Sequence, residues 1–278
     1  MSTRLPERLP EQARPAGLDY RMLTERSARV VAAVKLRRRI ARRRTERFLA
    51  EGPNLIQAAS KRGLVRDIFV TEAAARRHAA LLTMQDAPVH LVTERAAKAL
   101  SDTVTPAGLV AVCEPPATDL ADVLAEAPQL IAAAVQISEP GNAGTLIRIA
   151  DAMGAAAVIL AGHSVDPYNG KCLRASAGSI FSIPVVVAPD AVAAMAALHG
   201  AGLQVLATTV DGELALDDAD LAAPTAWLFG PESQGLPADV ASSADHRVHI
   251  PMRGGAESLN VAAAAAICLY QSARTLRP

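Results

Sequence analysis

The sequence predicts an α/β protein, with a parallel sheet in its C-terminal part and a smaller α/β unit before it. Short apolar runs alternate with helical stretches from about residue 128 onward, and buried parallel strands have this continuous apolar character. Hydrophobic residues make up 51% of the 278 positions, enough for one large or two ordinary domains with substantial cores. Pro115-Pro116 and the acidic segment after them indicate a boundary between the two parts.

Residues 1–45 are predicted to form a flexible N-terminus followed by a basic helix. Residues 1–20 contain three prolines and alternating charges, so we expect disorder there. A helical pattern then runs from about Glu25 to Arg47. Its loose apolar face would consist of Val30, Val31, Val34 and Ile40.

The basic residues of this helix favour a polyanionic partner. Residues 1–66 hold 17 of the 28 lysines and arginines but 6 of the 28 acidic residues, a net charge of +11 that leaves −11 for the remainder. Cations this dense repel one another unless an anion lies nearby, although a merely solvated face is the alternative. RNA or DNA is the natural anion, and because aromatic residues are not interleaved, phosphate contacts are expected rather than base stacking. The candidate RNA-binding residues are Arg38, Arg39, Arg42, Arg43, Arg44 and Arg47.

Residues 46–115 are predicted to form the small α/β unit, and residues 116–128 a linker. Helices are expected after Pro53, Thr71 and Thr93. Strands are expected at residues 48–52, 65–71, 89–93 and 108–113.

Residues 129–278 are predicted to form the parallel-sheet domain. Six apolar runs separated by helical stretches supply its strands, which would be covered by helices on both faces. The runs are residues 130–135, 156–160, 184–187, 204–208, 225–229 and 248–250.

Several classes of protein are disfavoured by composition. The three cysteines are far apart and unpaired in pattern, which fits buried side chains in a reducing cytosol better than a disulfide frame or a zinc site. His246 and His249, three apart on a predicted strand, would face opposite sides, so no metal is expected. No uncharged apolar run is long enough to span a membrane, and no secretory segment is evident. A cytoplasmic protein is expected.

Three glycine-bearing segments each follow an apolar run, and they carry the strongest functional signal. They are residues 139–148, 229–236 and 250–270. Taken singly, Ser258 and Asn260 could be ordinary helix caps, and Glu232 could merely cap the next helix. Three such turns in one α/β region nevertheless predict that they line a single pocket. The G-x-G-x-x-G fingerprint and the phosphate-loop Gly-Lys-Ser/Thr are both absent, which disfavours a nicotinamide-dependent oxidoreductase.

In this order, the three segments closely resemble the signature motifs of the SpoU, or TrmH, family of RNA ribose 2′-O-methyltransferases. The resemblance implies S-adenosylmethionine as methyl donor, a C-terminal domain with a deep trefoil knot, and a homodimer. Upstream, Arg47-Phe-Leu-Ala-Glu-Gly and the region Leu100-Ser to Thr105-Pro-Ala-Gly-Leu resemble the family's substrate-binding domain, which is similar to ribosomal protein L30e.

The resemblance also implies roles for individual residues. Cofactor-binding positions would be Thr208, Gly230, Ile250 and Leu259. The reacting ribose would be surrounded by Asn142, Arg148, Glu232, Ser258 and Asn260. The family casts Arg148 as proton acceptor, but a guanidinium pKa above ~12 favours a different role, in which Arg148 binds phosphate and steadies the developing alkoxide.

The motifs depart from the family pattern at three positions. Glu139 stands where aspartate is usual, Ala262 where serine commonly follows Asn-Val, and Ala107 where glutamine is frequent. None of these removes a group implied to be catalytic. Ribosomal RNA, 23S in particular, is the expected substrate. Transfer RNA, or a non-catalytic role as an RNA-binding ribosome-assembly factor, remains the alternative.

Overall fold

A computed structural model describes residues 18–276 and divides the chain into two compact units, Met1–Pro115 and Pro116–Pro278. Disorder was expected for residues 1–20. Residues 1–17 lie outside the described residues, whereas residues 18–20 begin a strand and correct that expectation.

The first unit has a mixed five-stranded sheet in the order β1-β4-β3-β5-β2. Strands β1 and β3 run parallel to β4, while β5 is antiparallel to both β2 and β3. The elements are β1 (Leu18–Leu23), α1 (Ala28–Lys35), α2 (Arg39–Thr45), β2 (Phe48–Glu51), α3 (Pro53–Lys61), β3 (Val65–Val70), α4 (Glu72–Arg77), α5 (Ala79–Thr83), β4 (Val89–Val92), α6 (Glu94–Leu100) and β5 (Leu109–Cys113).

Helices α4 and α6 begin where the sequence predicts. The hydroxyl of Thr71 accepts from the backbone N–H of Ala74, and that of Thr93 accepts from Ala96, so each threonine caps the helix after it. Helix α3 starts at a proline that follows Gly52, whose φ of 93° is a left-handed conformation favourable to glycine.

The basic segment forms two short helices, α1 and α2, and not the single helix that the sequence predicts. Val30, Ala33 and Leu36 are buried in the core of the first unit, because their spacing directs them to one face of α1. The prediction that Ile40 lies on the apolar face is wrong, since this residue is 83% exposed. Helix α1 is therefore part of the first unit's core, and the boundary expected near residue 45 is corrected.

The second unit has a seven-stranded sheet in the order β10-β12-β9-β11-β6-β7-β8, and every pairing in it is parallel. All six predicted runs form strands; the two-residue β10 was not predicted. The elements are α7 (Leu120–Ala125), β6 (Leu130–Val135), α8 (Pro140–Ala152), β7 (Ala157–Ala161), α9 (Gly170–Ser176), β8 (Val185–Ala188), α10 (Ala191–Gly200), β9 (Gln204–Thr208), β10 (Leu214–Ala215), β11 (Thr225–Phe229), α11 (Ala238–Ser242), β12 (His246–His249) and α12 (Val261–Thr275).

The stretch predicted as a linker, residues 116–128, contains helix α7. Asp119 caps this helix through the N–H of Ala121, and Val123 is buried in the same apolar cluster as Ile131. The prediction of a simple linker is therefore corrected, because an amphipathic turn of helix lies within it and packs on the second sheet.

Helices cover both faces of the second sheet. On one face, alternate residues of β6, among them Ile131 and Ala133, pack with residues of α7, α10 and α11. On the other face, the fully buried Trp227 donates its indole N–H to the hydroxyl of Ser272 on α12, at 2.8 Å. Burial on both sides explains why the central strands β6, β7 and β11 have nearly continuous apolar sequences.

The three cysteines are free and buried, as expected. Within residues 18–276, no helix is long and apolar enough to cross a membrane. No group of three or more metal-ligating side chains is found in the same range.

Candidate active site

The three glycine-bearing segments meet at the carboxyl ends of the strands of the second sheet. Strands β6, β9, β11 and β12 run parallel within this sheet, so their carboxyl ends lie together. The first segment leaves β6 and enters α8, the second leaves β11, and the third leaves β12 and enters α12. Carboxyl ends of parallel strands are where α/β proteins bind ligands.

Three of the five residues assigned to the ribose form one hydrogen-bonded cluster. A single carboxylate oxygen, Oε1 of Glu232, accepts from Nδ2 of Asn260 at 2.6 Å and from Nδ2 of Asn142 at 3.2 Å. The same oxygen accepts from the backbone N–H of Val261 at 2.8 Å. Nδ2 of Asn260 also donates to Oδ1 of Asn142, at 3.2 Å. We call Asn142, Glu232 and Asn260 the polar triad.

Asn260 is both a helix cap and a member of this triad. Its Oδ1 accepts from the N–H groups of Ala262 and Ala263, which satisfies the first turn of α12. Its Nδ2 is left to bind Glu232 and Asn142. Asn260 can therefore be both a helix cap and a residue of the ribose site, because its amide has separate acceptor and donor atoms.

Arg148 and Ser258 lie outside the hydrogen bonds of the polar triad. Arg148 is exposed on α8 and makes no hydrogen bond or ion pair with any residue in the described range. Six helical positions separate it from Asn142, which turns it about 120° around the helix axis. Ser258 is exposed and lines the cavity beside the triad. The single chain thus brings together three of the five assigned residues by direct contact and a fourth by proximity.

A cavity of about 390 Å³ adjoins the polar triad. It is lined by all four residues assigned to the cofactor, Thr208, Gly230, Ile250 and Leu259, and by Glu232 of the triad. Residues 230–236 form one wall of this cavity, and their close packing requires glycine at position 230. A Cβ on Gly230 would lie 2.6 Å from the backbone nitrogen of Leu236. Residues 230–236 can curl back on themselves only with glycine at that point.

The cavity lining fits S-adenosylmethionine in its chemistry. The hydroxyl oxygens of Thr208 and Thr209 are buried without a strong hydrogen-bond partner, and both residues line the cavity. The hydroxyl of Thr208 has the sulfur of Cys268, a weak acceptor, beside it, and burial raises the pKa of that thiol to about 12. Buried hydroxyls lacking partners are costly, and an adenosine moiety offers nitrogen and hydroxyl partners.

The cavity also contains residues that the sequence did not single out. Thr209 directly follows the assigned Thr208. The pair of successive threonines at the end of a predicted strand is the sequence feature that could have identified Thr209 as a cavity residue. Asp211 and Arg247 come from the β9–β10 connection and from β12, and Arg247 donates to Glu213 at 3.0 Å. No motif marks these two, because only the pairing of β10 with β12 brings them to the cavity.

The arginines assigned to RNA divide into two groups. Arg38, Arg39, Arg43 and Arg44 are exposed, and Arg47 is exposed beside Glu114, at 3.6 Å. Arg42 is instead 8% exposed and donates to the carbonyl oxygens of Leu36 and Arg37, both at 3.0 Å. The expectation that Arg42 contacts RNA is corrected: its guanidinium closes the turn between α1 and α2.

A second cluster joins residues 47–52 and 100–109 of the first unit, the two segments for which the sequence predicts a substrate-binding role. The carboxylate of Glu51 accepts from the hydroxyl of Ser101 at 2.7 Å and from that of Thr103 at 3.3 Å. It also accepts from the backbone N–H of Ala107, at 3.2 Å. Because Ala107 contributes its backbone here, the alanine at this family glutamine position leaves the loop of residues 101–108 anchored.

Comparison with known proteins agrees with this geometry. Residues 129–270 match the SpoU rRNA Methylase family, and residues 27–111 match the MRM3-like substrate binding domain. The chain is 36% identical over 237 residues to the 23S rRNA (guanosine(2553)-2′-O)-methyltransferase RlmP of Bacillus subtilis (strain 168), covering 85% of this chain and 92% of the relative. It is 39% identical over 174 residues to the 23S rRNA (uridine(2479)-2′-O)-methyltransferase of Streptomyces viridochromogenes, covering 61% of each.

Solved structures are similar over nearly the whole chain. An AdoMet-bound rRNA methyltransferase from Sinorhizobium meliloti superposes with a TM-score of 0.83 at 29% identity, covering 94% of this chain and 100% of that one. The SpoU methyltransferase AviRb from Streptomyces viridochromogenes, in complex with AdoMet, has a TM-score of 0.80 at 33% identity, covering 90% and 98%. Both similarities extend through the two units described above.

Proposed function

Because the chain belongs to the SpoU rRNA methylase family, we propose that it transfers a methyl group from S-adenosylmethionine to a ribose 2′-hydroxyl of 23S ribosomal RNA. The observation that carries this proposal is the contact between the polar triad and the cavity lined by the four cofactor-assigned residues. The relatives act on guanosine in one case and uridine in the other, so the ribose is the shared target.

The chain's own residues have three tasks in this reaction. S-adenosylmethionine supplies an electrophilic methyl group, so the protein must align the ribose oxygen and ease the loss of its proton. The polar triad lies at the surface beside the cavity, where its amide and carboxylate groups can orient a ribose. Arg148, which makes no hydrogen bond or ion pair within the described residues, binds an RNA phosphate and stabilises negative charge developing on the 2′-oxygen.

The acceptor site is proposed to be complete in a homodimer with a knotted methyltransferase domain. Arg148 is exposed and makes no hydrogen bond with the polar triad of the same chain, and a second copy is one way to complete the site. The chain is proposed to act in the cytoplasm, where ribosomal RNA is available and the three free thiols stay reduced. Light scattering on the purified protein is expected to give twice the mass of one chain; a monomer with full activity would contradict this.

The proposed function is tested by methyl transfer to a 23S rRNA transcript. Purified protein is incubated with methyl-labelled S-adenosylmethionine, and ribose methylation is mapped along the RNA. The same mapping on RNA from cells with and without the protein identifies the nucleotide. We expect one 2′-O-methylated position in 23S rRNA. Modification of transfer RNA alone would favour the alternative substrate, and cofactor titration without binding would favour a non-catalytic RNA-binding factor.

The role of Arg148 can be separated from a purely structural one. Arg148→Lys keeps the positive charge but lacks the planar fork that binds phosphate through two N–H groups. We expect methyl transfer to fall by about 10- to 100-fold. Cofactor affinity, measured by calorimetry, should stay unchanged because Arg148 does not line the cavity. Nearly full activity in this variant would remove Arg148 from the mechanism.

A further inference from the structure

One lysine lies beside the polar triad and has no role in the mechanism above. Lys171, near the start of α9, donates from Nζ to Oε1 of Glu139 at 2.5 Å. The same oxygen accepts from the backbone N–H of Gly141 at 3.2 Å, since Glu139 is the N-cap of α8. The hydrogen bond from Lys171 holds the pKa of the Glu139 carboxyl below its usual value. One carboxylate oxygen thus ties Lys171 to the first turn of α8.

The ammonium group of Lys171 lies over Gly141, the residue directly before Asn142 of the triad. A Cβ on Gly141 would be 3.4 Å from Cε of Lys171 and 3.9 Å from its Nζ. Because consecutive Cα atoms are about 3.8 Å apart, Nζ lies within about 9 Å of the Cα of Asn142. That span is comparable to the distance from a ribose to its neighbouring phosphates.

An RNA phosphate bound at this position would be favoured by a cation that offsets the nearby carboxylates. The triad contains a carboxylate, Glu232, and Glu139 adds another nearby, whereas the ligand is a polyanion. Lys171 is the only lysine in residues 99–278. Its side chain is 60% exposed, and Glu139 uses one of its three N–H donors, so two remain for an acceptor from outside.

We propose that Lys171 binds an RNA backbone phosphate adjacent to the acceptor ribose, and that Glu139 is the positioning residue that holds Lys171 there. The inference rests on the proposed function. It also accounts for glutamate at a position where the family usually has aspartate. Either carboxylate can cap α8, but the additional methylene of glutamate lets one oxygen reach both the helix N–H and the lysine.

The alternative is that the ion pair only joins α8 to α9. These helices are already in close contact, because a Cβ on Gly144 would overlap the backbone carbonyl of Cys172. Exposed ion pairs add little stability. A purely structural role would therefore change neither the affinity for RNA nor its salt dependence, and this difference separates the two interpretations.

The experiment measures kcat and the KM for RNA with the full-length protein, using a 23S rRNA transcript that contains the mapped site, at several salt concentrations. For Lys171→Ala, we expect KM to rise about tenfold with kcat and cofactor affinity unchanged. The slope of log KM against log salt should fall by about 0.7, corresponding to one phosphate contact on a single strand. Lys171→Arg should retain most of the affinity.

Glu139→Asp tests the positioning role without changing net charge. It should raise the KM for RNA, as Lys171→Ala does. The KM of the double variant Glu139→Asp, Lys171→Ala should be no higher than that of Lys171→Ala alone, because both substitutions remove the same contact with RNA. The matched control is Arg274→Ala, which removes a cation of the second unit about 20 Å along α12 from Asn260 and should leave KM unchanged.

Each result bears on the inference in a distinct way. If the wild-type protein transfers methyl groups normally and the Lys171→Ala variant has the same KM and the same salt slope as the wild type, the inference is overturned and the proposed function stands. Absence of methyl transfer by the wild-type protein refutes the proposed function instead. Melting temperatures are measured for every variant; if Lys171→Ala is unstable, Lys171→Gln replaces it and is held to the same expected changes.

Discussion

At the residue scale, the site depends on side chains that serve two partners at once. Oε1 of Glu232 accepts from two asparagines and from the backbone of Val261 at the start of α12. Asn260 caps α12 with its oxygen and binds the triad with its nitrogen. This sharing fixes the three side chains relative to the helix, so the triad is ordered before any RNA arrives.

Two substitutions of Glu232 separate the contribution of its hydrogen-bond acceptor from that of its negative charge in methyl transfer. Glu232→Ala removes the common acceptor of three N–H groups, so we expect kcat to fall by about 100-fold. Glu232→Gln keeps one carbonyl oxygen in the same position and should fall less. Steady-state methyl transfer with both variants, alongside melting temperatures, makes the comparison. Equal activity of the alanine variant and the wild type would show that the triad has no role in catalysis.

At the element scale, each motif makes sense as a connection between a strand and a helix. The loop of residues 230–236 curls so tightly that backbone atoms of Gly235 and Leu236 lie against Gly230. That curl forms one wall of the cavity beside the end of β11. In the first unit, the turn between α1 and α2 is closed by Arg42, which leaves the neighbouring arginines pointing to solvent.

Gly230→Ala should weaken cofactor binding. The added Cβ would lie 2.6 to 2.8 Å from backbone atoms of Gly235 and Leu236, so the loop must open. We expect at least a tenfold loss of S-adenosylmethionine affinity by calorimetry. Gly200→Ala is the matched control, because a Cβ there has nothing within 4 Å and its glycine lies at the end of α10. Similar affinities for the two variants would contradict this account of the loop.

The two groups of arginines should respond differently to substitution. Changing Arg38, Arg39, Arg43 and Arg44 together to alanine removes exposed cations, so RNA binding should weaken and its salt dependence should flatten. Arg42→Ala should instead lower the melting temperature, because two carbonyl oxygens lose their donor. Filter binding and thermal melts measure the two effects. If the salt dependence of RNA binding is unchanged in the fourfold variant, these arginines form a solvated surface that does not contact RNA.

At the scale of the whole molecule, charge and chemistry are divided along the chain. The cations are concentrated in residues 1–66, whereas the cavity and the polar triad lie in the second unit. A neutral sum therefore conceals a chain with one part suited to a polyanion and another suited to a small cofactor.

This division predicts that salt separates the two binding activities. Raising monovalent salt from about 50 to about 200 mM should weaken RNA binding by at least tenfold, through counterion competition at the phosphates. S-adenosylmethionine binding should change by less than about twofold, because most residues that line its cavity are uncharged and the charged ones, Asp211, Glu232 and Arg247, are of both signs. Titrations of each ligand across this range test the prediction, and parallel losses for both ligands would contradict it.

The sequence was sufficient for much of the fold and part of the site. All six apolar runs of the second unit form strands, and β6, β7 and β11 are buried along their whole length, which leaves a local apolar signature that needs no partner to recognise. The assigned cofactor residues line one cavity because each lies at the carboxyl end of a strand of one parallel sheet or in the segment after it. Helix α7, the break between α1 and α2, and the burial of Arg42 were missed. The burial of α1 and α7 depends on the sheets they pack against. Arg42 binds carbonyl oxygens only six and five residues away, but such side-chain to backbone contacts leave no recognisable sequence pattern.

By itself, the sequence determined the family, the order of the strands along the chain and the residues carried by its three motifs. Only the tertiary structure decided that Asn142, Glu232 and Asn260 meet at one carboxylate oxygen, and that Glu139 holds Lys171 beside them. The physical reason is range. Burial and helix capping act over a few residues and are written in local pattern, whereas hydrogen bonds between residues 90 or 118 positions apart exist only after the sheet has assembled.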